Sequence, residues 1–302
     1  MDENQDVPER DARSEALIDE VQRRFGRAIA GVSPIEDGDE AVVWRVESEQ
    51  GALIVHQGPA WRSTDELAWT HRVIGRVAAR VPEAIVPLTA NDGATFFRHD
   101  ERPVTLFAFI DGDPLQPSDP ALVDHSARVL ARIHCSLADW PDRPRPPSRP
   151  GGPQDSDPRE DPLELIDHDL DQWWAATSTS LPRGVVHGDY YPRNLLCRRH
   201  RVVGVIDWHE ARIAPIAGEI AWAAWEVAHD DELRLLPDRA ARFLDAYGPG
   251  SPSPELAIGL MRVWLRENIR YGLMLAQHDQ PVDDRYLELQ LRAFADLQRV
   301  TT

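Results

Sequence analysis

Three oxygen-bearing side chains in the stretch 187–210 are spaced for chemistry. The segment reads His187-Gly188-Asp189-Tyr190-Tyr191-Pro192-Arg193-Asn194, then Leu195-Leu196. After a short basic turn it continues Val202-Val203-Gly204-Val205-Ile206-Asp207-Trp208-His209-Glu210. Asp189 stands five residues before Asn194, and Asp207 closes an apolar run. Phosphoryl transfer uses such a set: one carboxylate to orient a hydroxyl and take its proton, plus an amide oxygen and a second carboxylate to hold Mg²⁺. Mg²⁺ takes one or two protein oxygens and completes its shell with phosphate oxygens and water.

The flanking residues supply the elements that must position this set. Pro192 sits in a loop, where a missing N–H does no harm. Leu195–Cys197 and Val202–Ile206 are short apolar runs separated by Arg198, Arg199, His200 and Arg201, which predicts a β-hairpin with a polar tip. One strand leaves the loop of Asp189 and the other delivers Asp207, so Asn194 and Asp207 fall at the same end of the hairpin. A lone His-x-Asp would read as a tight turn. Three matched elements with a hairpin between them are far more specific.

The pattern His-Gly-Asp-x-x-x-x-Asn at 187–194, followed by Ile206-Asp207-Trp208, resembles the signature of the aminoglycoside phosphotransferase superfamily, which also includes choline, homoserine and methylthioribose kinases. The resemblance spans about residues 30–280 and is sharp only at 187–210. It implies an α+β, bilobal, protein-kinase-like fold: a small β-rich N-lobe over 1–110 and a larger, mainly helical C-lobe over 111–302 that carries the catalytic loop and substrate cleft. It implies transfer of the γ-phosphate of ATP or GTP, with Mg²⁺, to a hydroxyl of a small cationic molecule such as an aminoglycoside, a basic peptide antibiotic or an amino alcohol. Antibiotic resistance and metabolism are both represented in such a group. Under the resemblance Asp189 is the catalytic base, Asn194 and Asp207 are the Mg²⁺ ligands, and His187 braces the loop.

Composition narrows the class. The chain has 302 residues, enough for two lobes, and a net charge of −18. That balance argues against nonspecific nucleic-acid binding, which needs basic patches. No run of eighteen apolar residues occurs, and the acidic start Met-Asp-Glu-Asn-Gln-Asp lacks a signal core, so no membrane association is expected. Cys135 and Cys197 stand at no metal spacing, and a reducing cytoplasm is the expected setting. All 33 basic residues are arginine. Kinase-type sites use a strand lysine to neutralise nucleotide phosphates, and this chain has none.

The first half carries the nucleotide-binding expectations. Apolar spacing over 13–29 predicts a helix, and Ala41–Val46 with Ala52–Val55 predicts a nucleotide-covering hairpin, preceded by Gly38. Residues 64–80 predict a helix capped by Ser63 or Thr64. By position His56 replaces the strand lysine and Glu66 is its helix partner, although a first-turn Glu is also favoured by the helix dipole alone. Arg193 is a second candidate cation; Arg45 and Arg62 are weaker ones. Phe107 and Phe109 lie in the segment that resembles the connection between lobes, where backbone groups would bind a nucleobase. Tyr191 brings a hydrogen bond but no charge.

The second half carries the acceptor expectations. Helices are expected over about 119–136, 217–229, 233–247, 254–277 and 284–299, and a proline-rich loop over 141–162. Glu219 stands where the resemblance places a loop-bracing acid. Glu226, Asp230, Glu267 and Tyr271 are candidates to hold a substrate ammonium, against the plainer reading of solvated acids and core aromatics. Two other classes stay open: a nucleotide-binding, pseudokinase-like protein with little turnover, and a metal-dependent hydrolase built on His187, Asp189, Asp207 and His209. The second leaves Asn194 without a role.

Overall fold

The computed structural model describes residues 7–35, 41–141, 144–148, 165–277 and 283–300. The chain is α+β, with an antiparallel sheet in its N-terminal part and helices in its C-terminal part. It divides into two compact units: 1–75 with 85–110 and 146–152, and 76–84 with 111–145 and 153–302.

The first unit begins with α1 (Val7–Phe25), followed by β1 (Ile29–Ile35), β2 (Val42–Ser48) and β3 (Leu53–Gln57). The helix α2 (Thr64–Ala78) starts here, and β4 (Phe97–His99) and β5 (Arg102–Ala108) complete the sheet. The strands pair antiparallel in the order β1-β2-β3-β5-β4. β1 was not expected: its sequence carries Gly31 and Pro34, which weaken a strand signal. It forms because it is an edge strand, where one side of the backbone needs no partner. Gly38 therefore belongs to the connection between β1 and β2, at 36–40, which lies outside the described residues. Along β3 burial alternates, with Leu53, Val55 and Gln57 buried and Ile54 and His56 half-buried. Leu53 and Val55 join Leu17, Val21 and Phe25 of α1 and Val104 and Leu106 of β5 in one core. His56 thus lies on the opposite sheet face, between Val43 and Thr105.

The second unit is built on α3 (Pro120–Leu137), α5 (Ile216–Val227), α6 (Pro237–Tyr247), α7 (Pro254–Gln277) and α8 (Asp284–Val300). The short α4 (His168–Ser178) was not expected. A buried ion pair from Arg262 to its N-cap Asp167, and a second from buried Arg266 to exposed Asp171, link it to α7. Pro120 at the first position of α3 follows the cap Asp119, whose carboxylate accepts the Ala121 N–H at 2.9 Å. α3 buries Val123, Ala127, Leu130 and Ile133, and α5 buries almost every residue it has, including Ile220 and Trp225. Five short strands frame the chemistry: β6 (Asp113–Pro114), β7 (Arg183–Val186), β8 (Leu195–Arg198), β9 (Arg201–Val205) and β10 (Arg212–Pro215). The proline-rich expectation at 141–162 falls mostly outside the described residues.

Candidate active site

The hairpin expected around the basic turn is present as β8 and β9, with Leu195 opposite Val205. Its tip residues Arg199 and His200 both have positive φ, at 50° and 61°, the geometry of the tight turn that matches strand twist. At the open end the Ile206 N–H donates to the Asn194 carbonyl at 3.0 Å, which brings Asp207 alongside Asn194. Asp207 itself has φ of 57°. A non-glycine residue held in this region carries strain that the surroundings must offset, a feature concentrated at functional sites.

The loop between β7 and β8 carries Asp189. Pro192–Asn194 forms a single 3₁₀ turn, closed by the Asn194 N–H on the Tyr191 carbonyl at 3.0 Å. Asn194 then turns its amide back: Nδ2 donates to an Asp189 carboxylate oxygen at 2.8 Å and to the Asp189 carbonyl at 3.0 Å. This fixes the rotamer of Asp189 and leaves Asn194 Oδ1 as the amide's remaining acceptor. Burial pushes the Asp189 carboxyl up to about 7, and the nearby Asp207 charge adds to this, while Asn194 and Arg212 pull the other way. A carboxylate with a raised pKa is a competent proton acceptor near neutral pH. Burial also raises the Tyr191 hydroxyl to about 12, so it stays protonated beside Asp189.

Beneath the loop lies a buried network. Glu219, on α5, accepts the backbone N–H of His187 at 3.1 Å and of Gly188 at 2.5 Å. The same carboxylate accepts His134 Nε2 of α3 at 2.7 Å, and His134 Nδ1 meets the Tyr247 hydroxyl at 2.9 Å. Burial alone would raise the Glu219 carboxyl; the bond and charge of His134, with His187 and the Gly188 N–H, outweigh it and hold the pKa below the ordinary value. His187 is fully buried. Its Nε2–H donates to the Ile206 carbonyl at 3.1 Å and its Nδ1 accepts the Asp189 N–H at 3.3 Å. Burial lowers its pKa, so the ring is a neutral brace joining the loop to the strand end that carries Asp207. Its ring also packs on Trp208 at 4.5 Å between centroids. Tyr190 anchors the loop to α3 through its hydroxyl, which donates to the Ser126 carbonyl at 2.8 Å. Gly188 has φ of +87°, and a Cβ there would sit 2.1 Å from the Glu210 carbonyl oxygen, so only glycine fits.

The acid candidates for substrate separate clearly. Asp230 is spent on its own turn: it accepts the N–H groups of Glu232 and Arg234 and pairs with the Arg234 guanidinium at 3.0 Å. Glu267 pairs with Arg270 on α7, and Tyr271 is exposed. Glu226 differs. It is half-buried near the end of α5, joins no hydrogen bond or ion pair among the described residues, and is raised to about 8 by burial and by Asp189. Arg193 is exposed on the 3₁₀ turn. Arg212, whose guanidinium lies 5.0 Å from the centre of the Trp264 ring, influences Asp189 from beside Gly188. Sequence position had not singled out Arg212.

The oxygens of Asn194 and Asp207 are hard donors at one end of one hairpin, and they fit Mg²⁺. Among the described residues no three His, Cys, Asp or Glu groups converge on a metal position, the arrangement the hydrolase alternative would need.

In the first unit Glu66 does not depend on His56 for its charge partner. Its Oε1 accepts Arg62 Nη1 at 2.8 Å. Its other oxygen accepts the Ser63 N–H at 3.3 Å and the Ser148 hydroxyl at 2.9 Å. Ser63 Oγ in turn accepts the Glu66 N–H at 3.1 Å, a reciprocal cap at the start of α2. Phe107 lies on β5 opposite Ile54, and Phe109 follows that strand, its ring 4.1 Å from the Arg45 guanidinium and its N–H on the Ala52 carbonyl.

The profile of the phosphotransferase enzyme family matches residues 31–255. The homoserine kinase of Bradyrhizobium sp. (strain ORS 278) is 28% identical over 232 residues, covering 72% of this chain and 70% of that protein. The homoserine kinase of Brucella melitensis biotype 2 is 26% identical over 241 residues, covering 77% and 74%. Among solved structures, aminoglycoside phosphotransferase APH(4)-Ia superposes with a TM-score of 0.66 at 15% identity, covering 94% of this chain and 99% of that one. Spectinomycin phosphotransferase APH(9)-Ia, bound to ADP and spectinomycin, superposes with a TM-score of 0.62 at 14% identity, covering 93% of each. These likenesses show a shared kinase-like fold.

Proposed function

The chain belongs to the phosphotransferase enzyme family and is a small-molecule phosphotransferase acting on a hydroxyl group, and we propose that it moves the γ-phosphoryl group of ATP or GTP to an amino alcohol or hydroxy amino acid. The observation that carries this reading is the bond from Asn194 Nδ2 to Asp189, which fixes a buried carboxyl of raised pKa at the end of the hairpin that also presents Asp207. In this reading the acceptor hydroxyl approaches Asp189, which orients it and takes its proton as the oxygen attacks the γ-phosphorus in line. The nucleoside diphosphate leaves on the opposite side. Asn194 and Asp207 would hold Mg²⁺, whose contribution when bound is to neutralise charge on the phosphate oxygens. His187, Glu219 and His134 keep the loop rigid, so that Asp189 needs no rearrangement during transfer.

The acceptor class follows from charge. Glu226 carries a carboxyl that meets no hydrogen-bond or ion-pair partner among the described residues and feels the charge of Asp189; a bound ammonium would favour its ionised form. Arg212, which also acts on Asp189 and donates to the Glu210 carbonyl at 2.9 Å, is a guanidinium suited to a carboxylate. Both relatives named above are homoserine kinases, and homoserine combines a hydroxyl with an ammonium and a carboxylate. A larger cationic antibiotic would use Glu226 and leave Arg212 idle.

The test is to incubate the protein with Mg²⁺ and ATP or GTP against homoserine, simple amino alcohols and aminoglycosides. The readout is a mass gain of one phosphoryl group on the acceptor, with Asp189→Asn as control. Transfer to homoserine or an amino alcohol that disappears in the control supports the reading. Product only on aminoglycosides would replace the acceptor class, and equal product in the control would remove Asp189 as base.

A further inference from the structure

His125, Arg128 and Arg132 recur at spacings of three and four along α3, which sets them on one stripe of that helix. Arg201 opens β9 opposite Arg198, at the closed end of the β8–β9 hairpin. These four residues line an open cavity of about 800 Å³ that lies wholly within the second unit. Small-molecule sites occupy about 300–1,000 Å³. We propose that this cavity binds a small phosphate dianion, either inorganic phosphate or a phosphomonoester. It is separate from the loop of Asp189, because Asn194 and Asp207 stand at the open end of the same hairpin.

Charge selects an anion. In a chain of net charge −18, this cavity is lined by Arg128, Arg132 and Arg201 against one carboxylate, Glu83. Arg132 is paired with Glu83 at 2.6 Å. Arg128 lies 3.6 Å from Asp124, but that carboxylate is already held by two bonds from Arg242, at 2.7 and 3.1 Å. Arg201 joins no hydrogen bond or ion pair among the described residues. With Asp124 and Arg242 included, four guanidinium groups meet two carboxylates, which leaves a surplus of two positive charges. A phosphate monoester carries about −1.5 to −2 at neutral pH and matches that surplus.

His125 adds an oriented neutral donor. Its Nδ1 accepts the Val202 N–H at 3.1 Å, so Nε2 carries the ring proton. Burial holds its pKa below the ordinary value; the Glu83 charge opposes this, and Arg201, Arg132 and Arg128 add to it, so all three guanidinium charges act on this one ring. Guanidinium forks engage phosphate oxygens in pairs, with the imidazole N–H as a further donor. The walls are held before any ligand arrives. The Glu83 carbonyl accepts the Val205 N–H at 2.7 Å and Ala84 bridges to Val205, which stitches the segment before α3 to β9. A cavity on fixed walls loses little ordering entropy on binding. Ala131 and Val203 supply apolar lining for the carbon part of an ester.

The experiment measures binding of inorganic phosphate and of phosphoethanolamine to the full chain by calorimetry, with MgAMP-PNP present to fill the nucleotide site. Wild type is expected to bind phosphate saturably, with a Kd of about 1 mM or tighter. Arg128→Ala/Arg201→Ala is expected to weaken binding about tenfold or more, and Arg128→Lys/Arg201→Lys to recover it to within about threefold of wild type. Both side chains are exposed, so the variants should keep the wild-type unfolding temperature. Arg198→Ala/Arg199→Ala removes two charges at the same hairpin end but outside the cavity lining, and is expected to stay within about twofold of wild type. Tighter binding of phosphoethanolamine than of phosphate assigns an ester whose carbon chain meets Ala131 and Val203; equal affinity assigns phosphate itself. No saturable binding by wild type, unchanged affinity in Arg128→Ala/Arg201→Ala, or an equal loss in Arg198→Ala/Arg199→Ala overturns the proposal. These residues take no part in the phosphotransfer reading, so the binding comparison stands whether or not the wild type transfers phosphate.

Discussion

Replacing Glu219 by Gln should weaken the fold and the chemistry together. The carboxylate takes three donors: His134 Nε2 and the His187 N–H on one oxygen, the Gly188 N–H on the other. Glutamine has the same shape but only one acceptor oxygen. In its best orientation it keeps the His134 and His187 bonds and sets an amide NH₂ against the Gly188 N–H, where the original contact is 2.5 Å. One bond to a charged acceptor is lost, at about 1.5–3 kcal/mol, and two surviving bonds become neutral and weaker. The total is about 3–5 kcal/mol, a large share of a typical folding free energy of about 5–15 kcal/mol. Urea unfolding at neutral pH reads the stability loss, and steady-state kinetics should show kcat falling while nucleotide KM changes little, because the network touches Gly188 and not the first unit. The acid limb gives a second check. The folded pKa of Glu219 lies below 4.5, so its contribution is complete above the unfolded pKa and is lost as pH falls through the folded value. The variant should lose that part of the acid dependence. A stability change under about 1 kcal/mol, or an unchanged kcat, would refute the reasoning.

Gly188→Ala should fail more severely, by about 3 kcal/mol or more, because the new methyl meets the Glu210 carbonyl and the backbone is left-handed; chemical denaturation of soluble protein measures it. If Asp207 holds Mg²⁺ as proposed, Asp207→Gly should abolish transfer yet unfold near the wild-type temperature, since relief of a positive φ offsets the lost contact with His209 at 2.7 Å. Burial and Asp189 raise the Glu226 carboxyl to about 8, so if it holds the acceptor ammonium as proposed, acceptor KM should fall as pH rises through that value, and Glu226→Gln should raise KM and flatten the profile. Its raised pKa means the folded state holds a proton the unfolded chain has released. Its stabilising share is therefore full below about 4.5 and lost as pH rises through about 8, and thermal unfolding of Glu226→Gln should lack that decline.

The loop of Asp189 was legible because its residue types are not interchangeable. Only glycine fits at 188, and an Asp and an Asn at that spacing fold back on each other through a single turn. The β8–β9 hairpin and the long helices were legible from their apolar patterns, α5 from an almost unbroken one. What stayed hidden depended on tertiary context. β1 was masked by Gly31 and Pro34, residues an edge tolerates, and β6, β7 and β10 are too short for any periodic signal. α4 follows a proline-rich run and buries only Leu170, so its pattern was faint. The Arg62–Glu66 pair was missed because position along β3 was followed instead of spacing. Arg62 and Glu66 stand four apart across a Ser-x-x-Glu cap, a signal present in the sequence. Glu226, Asp230 and Glu267 were indistinguishable as acids; only their neighbours separate a turn-forming or ion-paired carboxylate from one that joins no hydrogen bond or ion pair among the described residues.

The most direct measurement is single-turnover phosphoryl transfer by Asp189→Asn, with nucleotide affinity determined on the same sample. If Asp189 is the base, the transfer rate should fall by about 10³-fold or more while nucleotide affinity stays within about threefold of wild type, because Asn keeps the shape but cannot take the proton. A transfer rate within about tenfold of wild type would show that the proton leaves by another route and that the Asp189–Asn194 pair does not carry the reaction.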